Sequence, residues 1–284
     1  MAQILGEFFG TSAVSYTSFE TGVTTVSLYL KQKPELSRLR RRQLIAAIDR
    51  LTSAQSSGKA AGFALQKIRN RDWAESWKLH FKPIEIGSRL LIKPGWSRKR
   101  ARKGQAVVIL DPGLSFGTGR HPTTLFCLRQ VARPGQGREG RSFLDIGTGS
   151  CILAIAAAKL GYAPVAAFDH DPAAIRVARE NARRNRVLHK IDLSEQDVTE
   201  LPARAKERYD LVCANLISNL LIEERDGIVE RVRPGGRLVL AGVLDREFSQ
   251  VANAYAAAGL RLISRQTQRE WCSGLFSKKL NGIF

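Results

Sequence analysis

The sequence of 284 residues is 44% hydrophobic and 25% charged, a balance that is typical of globular proteins and excludes bulk disorder. Lys and Arg number 45 against 26 Asp and Glu, so the formal net charge is +19. The longest apolar run, residues 151–158, is far shorter than the ~20 residues that span a membrane. No signal peptide is visible, so we expect a cytoplasmic protein. The four cysteines form no C-x-x-C pair, which argues against a zinc site and against a disulfide framework.

The first part of the chain is predicted to be a small α+β module. Residues 14–30 are rich in Val, Thr, Ser and Tyr around a turn at 20–22, a pattern typical of a β-hairpin. Residues 36–51 carry apolar side chains at helical spacing. A short helix at 72–77 and a short strand near 89–92 follow, within a stretch interrupted by Pro and Gly. We therefore expect a small domain followed by an irregular connector.

From residue 107 onward, strand and helix patterns alternate, which indicates a doubly wound, mostly parallel α/β sheet. Short apolar runs predict strands at 107–110, 143–146, 164–168, 209–214, 237–243, 260–264 and 271–277. Longer periodic segments predict helices at 122–131, 151–160, 172–185, 220–232 and 245–258. Asp171 and Asp245 are predicted to cap the helices that follow them.

Charge and composition divide the chain into three parts. We predict an N-terminal domain over residues 1–68, a basic linker over 69–106 and a doubly wound domain over 107–284. Residues 86–140 hold 11 basic and 2 acidic side chains, and the run 98–103 alone holds five basic ones. Such a run can steer a polyanion such as ribosomal RNA. The alternative is an ordinary solvated surface.

The strongest local signal is a glycine turn between a strand and a helix. Gly147 and Gly149 stand where glycine lets the backbone approach a ligand closely. Asp169 ends the next strand, 22 residues after Gly147, where a carboxylate can accept hydrogen bonds from both hydroxyls of a ribose. A dinucleotide fingerprint needs a third glycine at position 152, which is Ile152 here. S-adenosylmethionine, which has no phosphates, therefore fits better, although an NAD site stays open.

Asn215 follows the fourth predicted strand, at the sheet edge where ligands of doubly wound folds bind. Its amide oxygen can accept a hydrogen bond from a substrate amine, so it is the candidate catalytic residue. Methyltransferases that act on planar amide or base nitrogens usually continue with Pro-Pro-aromatic, whereas Leu216 and Ile217 follow here. That favours a flexible aliphatic amine. The alternative is an asparagine that caps the helix starting near residue 219.

Residues 116–124 contain two glycines, Phe116 and several hydroxyls ahead of a helix. Phe116 and Thr118 are candidate cofactor contacts in a lid that closes over the methionine part. The alternative is an ordinary loop whose threonines cap the helix. His121 is a candidate general base, although a lone loop histidine is more often structural.

These motifs resemble the ribosomal protein L11 methyltransferases (PrmA type). The string Phe116-Gly-Thr-Gly-Arg-His-Pro-Thr-Thr124 is the most specific, and the resemblance covers roughly residues 68–284. Further matching segments lie at 72–77, 145–147, 169–172, 214–216, 238–242 and 270–271. The resemblance implies a class I methyltransferase (Rossmann-like) fold, joined by a linker to a small N-terminal α+β domain that recognises the substrate.

The resemblance also implies an activity and a set of site residues. Such enzymes transfer methyl groups from S-adenosylmethionine to lysine and N-terminal amines of a large-subunit ribosomal protein. The cofactor contacts that carry over are Thr124, Gly147, Asp169 and Asn215. Two rival functions remain. A ribosomal RNA methyltransferase is favoured by the charge and opposed by the missing Pro-Pro-aromatic, and the other rival is a non-catalytic, cofactor-binding module associated with the ribosome.

Overall fold

The structure is a computed structural model that describes residues 82–111, 121–133 and 140–280, with short pieces of the first 46 residues. The chain divides into two compact units, Met1–Trp77 and Lys78–Phe284. The domain boundaries predicted at residues 68 and 106 stay predictions.

In the first unit, β1 (Ala13–Thr17) and β2 (Thr24–Leu28) pair antiparallel, which confirms the predicted hairpin. Residues 42–46 of the predicted helix at 36–51 are helical, and Leu44 among them is buried. The helix predicted at 72–77 lies outside the described residues.

The second unit contains a large sheet and a small one. Its strands are β3 (Ile84–Ile86), β4 (Leu90–Lys93), β5 (Ala106–Ile109), β6 (Phe143–Ile146), β7 (Val165–Asp169), β8 (Ile191–Glu195), β9 (Tyr209–Asn215), β10 (Val232–Leu244), β11 (Leu260–Gln268) and β12 (Trp271–Lys278). The large sheet has the order β11-β12-β10-β9-β6-β7-β8, and β3-β4-β5 form the small one. Strands β6 to β10 are parallel, whereas β12 lies antiparallel between β10 and β11.

Helices cover both faces of the large sheet, which confirms the doubly wound α/β prediction. They are α1 (Pro122–Val131), α2 (Ile152–Lys159), α3 (Pro172–Arg184), α4 (Ser218–Glu223), α5 (Arg225–Glu230) and α6 (Asp245–Ala257). On one face, α1, α2 and α3 share an apolar core with the small sheet. On the other face, α4, α5 and α6 pack in a second core. Among the described residues, none of the helices combines the length and the apolar character needed to cross a lipid bilayer.

Two predicted helix features at the end of the chain are wrong. The helix predicted at 220–232 is two short helices, and β10 already begins at Val232, so residues 234–236 lie within a strand. A register shift against β9 between Val232 and Arg237 accommodates the Pro-Gly-Gly. Asp245 is the first residue of α6 instead of its cap, and its Oδ1 accepts a hydrogen bond from Thr267 at 2.9 Å.

The connector is also more regular than expected, because β3 precedes the predicted strand at 89–92. Strand β8 was not predicted from the sequence. This strand pairs with β7 and forms one edge of the sheet, so its carboxyl end joins those of β6, β7 and β9. Parallel strands all end on the same side of the sheet, which we call its carboxyl edge. The candidate residues at the strand ends are brought together there.

Candidate functional site

A cleft opens at the carboxyl ends of β6, β7, β8 and β9. Its empty volume, counted out to open solvent, is about 540 Å³. The lining residues are Ile146, Gly147, Phe168, Asp169, His170, Gln196, Asp197, Val198, Thr199, Leu216 and Leu220. Two of the predicted cofactor contacts, Gly147 and Asp169, therefore line one cleft. Phe116 and Thr118 lie outside the described residues.

The glycine turn is held against the end of β7. The backbone N–H groups of Gly147 and Thr148 both donate to the carbonyl oxygen of Phe168 at 3.0 Å. Gly147 has φ of +70°, and a Cβ there would come within 2.6 Å of Cδ2 of Leu216. A side chain at this position would therefore be strained and would displace Leu216 from the floor of the cleft.

Cys151 has the backbone conformation that usually selects glycine. Its φ is +65°, its side chain is fully buried, and burial raises the pKa of its thiol to about 12. The thiol is therefore neutral near pH 7. Helix α2 begins at the next residue and is buried along almost its whole length. Because alanine predominates in α2, the helix can pack closely on the sheet behind the turn.

The Asp169 carboxylate is oriented by the backbone around it. Its Oδ2 accepts from the N–H of Gly149 at 2.8 Å, and its Oδ1 accepts from the N–H of Asp171 at 3.1 Å. Only 8% of the residue is exposed, on the cleft side. Each carboxylate oxygen can accept two hydrogen bonds, so both oxygens retain acceptor capacity for a ligand. Asp171 in turn caps α3 through the N–H of Ala173 at 2.7 Å, as predicted.

A second carboxylate, Asp145, lies beneath the turn. It is fully buried, and Thr148 Oγ1 donates to its Oδ2 at 2.7 Å. Burial raises the pKa of Asp145 to about 7, although the hydrogen bonds from Thr148 and the backbone of Ala154 oppose that shift. Near neutral pH this carboxyl therefore titrates, which is unusual for an aspartate.

Asn215 is the last residue of β9 and is half-buried. Among the described residues, its amide makes no hydrogen bond. It does not cap α4, because that position belongs to Ile217. The chain after it is fixed by a hydrogen bond from the N–H of Leu216 to the carbonyl oxygen of Ala241 on β10, at 3.1 Å. Asn215 thus ends β9 at the carboxyl edge of the sheet, next to Leu216, which lines the cleft, but is not itself among the lining residues.

His121 and Thr124 stand at the start of α1. Nδ1 of His121 lies 2.8 Å from Oγ1 of Thr123, and its ring packs edge-on against Trp271 with the centroids 4.9 Å apart. Burial lowers the pKa of His121, so its ring is neutral at pH 7. Thr124 is buried in the first turn of the helix. These contacts fix the His121 ring at the start of α1, and its role as a general base stays a prediction.

Four cleft residues after β8 were missed by the sequence analysis. Gln196, Asp197, Val198 and Thr199 enter the cleft because β8 brings them to the same edge as Asp169. Oδ1 of Asp197 accepts from the N–H of Thr199 at 2.9 Å, and this bond lowers the pKa of the Asp197 carboxyl. The alternation of Ile191 and Leu193 with polar residues was the available signal for the strand.

The basic run at 98–103 forms part of the segment between β4 and β5 and is exposed. Lys99 and Arg102 form ion pairs with Glu85, the latter at 2.8 Å. Nζ of Lys93 donates to the carbonyl oxygens of Ser97 and Lys99, each at 2.9 Å. Part of this run is therefore used to fix its own loop.

Comparisons with known proteins agree on one family. The family model described as "Ribosomal protein L11 methyltransferase (PrmA)" matches residues 11–279. A protein of that name from Geotalea uraniireducens is 42% identical over 218 residues, which cover 73% of this chain and 68% of the relative. Another from Pelotomaculum thermopropionicum is 36% identical, covering 91% of this chain and 81% of the relative.

A crystal structure shows the same relationship in three dimensions. The ribosomal protein L11 methylase from Lactobacillus delbrueckii subsp. bulgaricus is 28% identical and superposes with a TM-score of 0.62. The match covers 70% of this chain and the whole of that one. The resemblance carried by the motifs is thereby confirmed, as is the class I methyltransferase fold. The chain belongs to the ribosomal protein L11 methyltransferase family.

Proposed function

We propose that this chain is a cytoplasmic methyltransferase that transfers methyl groups from S-adenosylmethionine to lysine and N-terminal amines of ribosomal protein L11. Its relatives, named for that activity, match most of the chain. The observation that supports the proposal most is the Asp169 carboxylate, which two backbone N–H groups orient toward the cleft at the carboxyl edge of the sheet.

In this proposal the cofactor lies along the edge from β8 to β9. Asp169 accepts hydrogen bonds from the ribose hydroxyls, and the backbone of Gly147 and Gly149 lies beside the methionine part. Asp197 and Val198 flank the adenine, offering an acceptor and an apolar surface. Thr124, in the first turn of α1, is a further proposed cofactor contact, as are Phe116 and Thr118.

Asn215 receives the methyl acceptor. A lysine amine has an ordinary pKa near ~10.4, so it must lose its proton before its lone pair can attack. The lone pair then forms a bond to the methyl carbon while the carbon–sulfur bond breaks and the electrons stay on sulfur. Because the Asn215 amide cannot take up a proton, its contribution is to orient the amine, and the proton leaves to solvent.

The two rival functions are distinguished by one incubation. The purified chain is mixed with cofactor labelled in its methyl group and with separated ribosomal proteins and ribosomal RNA. Label in the L11 band supports the proposal. Label in RNA supports an RNA methyltransferase, and cofactor binding without any transfer supports a non-catalytic module.

The remaining parts of the chain have proposed roles as well. Residues 1–68 recognise the protein substrate, and the linker at 69–106 makes a weak contact with ribosomal RNA through the run at 98–103. Lys99 and Arg102 are already paired with Glu85, so that contact relies chiefly on Arg98, Arg100 and Lys103.

A further inference from the structure

The amino ends of the parallel strands, opposite the cleft, carry a cationic surface that methyl transfer does not use. Its members lie in the segments just before strands β4, β6 and β8, at the last residue of helix α2, or just after helix α1. We call this set the basic patch: Arg89, Arg133, Arg141, Lys159, Arg186 and Lys190. Helices α1, α2 and α3 end near it, and their C-terminal dipole ends favour positive charge there.

One half of the patch surrounds Tyr162. Nη1 of Arg89 donates to the carbonyl oxygens of Ala132 and Arg133, at 3.2 and 2.9 Å, just beyond the end of α1. The hydroxyl of Tyr162 donates to Val131 at 3.0 Å. The guanidinium of Arg141 lies over the Tyr162 ring, 6.0 Å from its centroid. These contacts place the guanidinium groups of Arg89 and Arg141 near the end of α1, and Arg133 follows that helix in the chain.

The other half surrounds Lys159, which lies three residues before Tyr162 in the chain. Burial lowers the pKa of the Lys159 ammonium, and the like charges of Lys190 and Arg186 lower it further. Three cations are thus crowded together, which costs folding free energy unless an anion offsets it.

No carboxylate relieves this repulsion within the part of the chain that the structure describes. There, the ion pairs that form involve other cations, and no member of the basic patch takes part in one. By contrast, Arg184 pairs with Asp111 at 2.5 Å and Arg233 pairs with Asp210 at 3.1 Å. Asp210 interacts electrostatically with Arg141 but is itself paired with Arg233, so the patch keeps an excess of positive charge, which fits an anionic partner.

The chemistry of the patch favours a phosphate backbone. Four of its six members are arginine, whose planar guanidinium matches phosphate oxygens. Among the described residues of the second unit, the exposed large apolar side chains are not members of the patch; they are Ile217, Leu262, Ile263 and Leu280. The patch thus has no apolar anchor of the kind that inserts into a lipid surface or fills a protein interface.

We propose that the basic patch binds the phosphate backbone of double-helical RNA. The choice of ribosomal RNA as that RNA rests on the proposed function, which brings the chain to a ribosomal protein. Strands of about five residues separate the patch from the cleft by roughly 17 Å. RNA bound there leaves the cleft open, so the excess charge serves docking and RNA is not the methyl acceptor.

The test measures RNA affinity against salt for the full-length chain. A fluorescent RNA duplex of 20 base pairs is titrated with wild type and with the triple variant Lys159→Gln, Arg186→Asn, Lys190→Gln, where Asn suits the positive φ of Arg186. The control triple variant Arg261→Gln, Arg265→Gln, Lys279→Gln removes the same charge from exposed positions. These positions lie on β11, the edge strand opposite β8, and just after β12.

Loss of three phosphate contacts should flatten the slope of log K against log salt by about 2.7. Between 50 and 200 mM salt, the patch variant should therefore lose about 40-fold less affinity than wild type, while the control follows wild type. Equal flattening in both variants, or no RNA binding, would overturn the proposal. So would equally tight binding to anionic vesicles or to polyglutamate. Methylation of isolated L11 is assayed separately and tests only the proposed function.

Discussion

A Cβ on Gly242 would stand 2.6 Å from the carbonyl oxygen of Leu216. It would also lie 3.0 Å from Oδ1 of Asn215, and the φ of Gly242 is +82°. Gly242 lies in a bulge, because the register between β10 and β12 shifts between Leu240 and Val243. The glycine on the neighbouring strand therefore makes room for the segment that carries the proposed amine site.

Gly242→Ala should slow methyl transfer by about tenfold or more at saturating cofactor, because it pushes Leu216 and Asn215 out of position. Gly259→Ala is the matched control, since Gly259 has φ of +84° and nothing within 4 Å of its Cβ position. Both substitutions cost about 1–2 kcal/mol of stability through backbone strain. Single-turnover rates measure the difference, and equal rates for the two variants would contradict the positional argument.

Asp169→Ala should weaken S-adenosylmethionine binding by at least about tenfold, because charge-assisted hydrogen bonds to two hydroxyls are worth roughly 1.5–3 kcal/mol each. Calorimetry measures the affinity. Asp171→Ala is the control, since it removes the cap of α3 and about 1 kcal/mol of stability but should leave cofactor affinity unchanged. Wild-type affinity in the Asp169 variant would remove this residue from the ribose site.

Asn215→Ala should cut turnover by roughly a hundredfold, about 2.7 kcal/mol in the barrier, with a smaller effect on cofactor affinity. Asn215→Asp should shift the pH profile of single-turnover transfer to higher pH, because a carboxylate favours the unreactive ammonium. Asn219→Ala, at an exposed position on α4, is the control and should behave as wild type. If the Asn215→Ala variant matches it, the amine site lies elsewhere.

Asp145 should make stability fall as pH rises. Its pKa is about 7 in the folded chain against an ordinary 3.8, so its contribution is complete below pH 3.8 and is lost as pH rises through 7. The slope is at most about 1.4 kcal/mol per pH unit. Asp145→Asn should abolish it, and urea unfolding from pH 5 to 8 measures this. Asp192→Asn, an exposed control, should keep the wild-type slope. Parallel curves for all three proteins would refute the assignment.

Deleting residues 1–68 should separate cofactor binding from substrate recognition. A chain that starts at Arg69 retains the whole of the compact unit Lys78–Phe284, so its affinity for S-adenosylmethionine should stay the same. Methylation of L11 should be lost, because the proposed recognition domain is gone. Full-rate methylation by the shortened chain would show that recognition resides in the remaining residues.

Much of the large sheet could be predicted from the sequence because its elements are bounded by strong signals. Strand β6 is a short apolar run closed by a glycine turn, and α1 begins with proline, so both have the predicted bounds. Strand β8 was missed because only Ile191 and Leu193 in it are apolar, as suits a strand at the sheet edge. Residues 234–236 looked like a break because Pro-Gly-Gly usually interrupts strands, but a change of register absorbs it.

The candidate site, like the sheet, could be predicted only in part from the sequence. Gly147, Asp169 and Asn215 could be proposed because each stands at the carboxyl end of a buried strand, where ligands of such sheets bind. Asp197 and its neighbours were not proposed as site residues, because the strand that precedes them, β8, was not predicted. The role of Gly242 could not be read from sequence, because it depends on how close β9 and β10 approach each other across the sheet.

The position of β12 in the sheet determines in what order the chain can fold during synthesis. This strand is the last one among the described residues, yet it lies between β10 and β11. Until residues up to Lys278 have left the ribosome, β10 has no partner on that side, and the bulge at Gly242 has nothing opposite it. A nascent chain can therefore complete its parallel strands and the Asp169 turn before the acceptor side of the cleft exists. The β12 side of the sheet is therefore completed only after residues up to Lys278 have been synthesised.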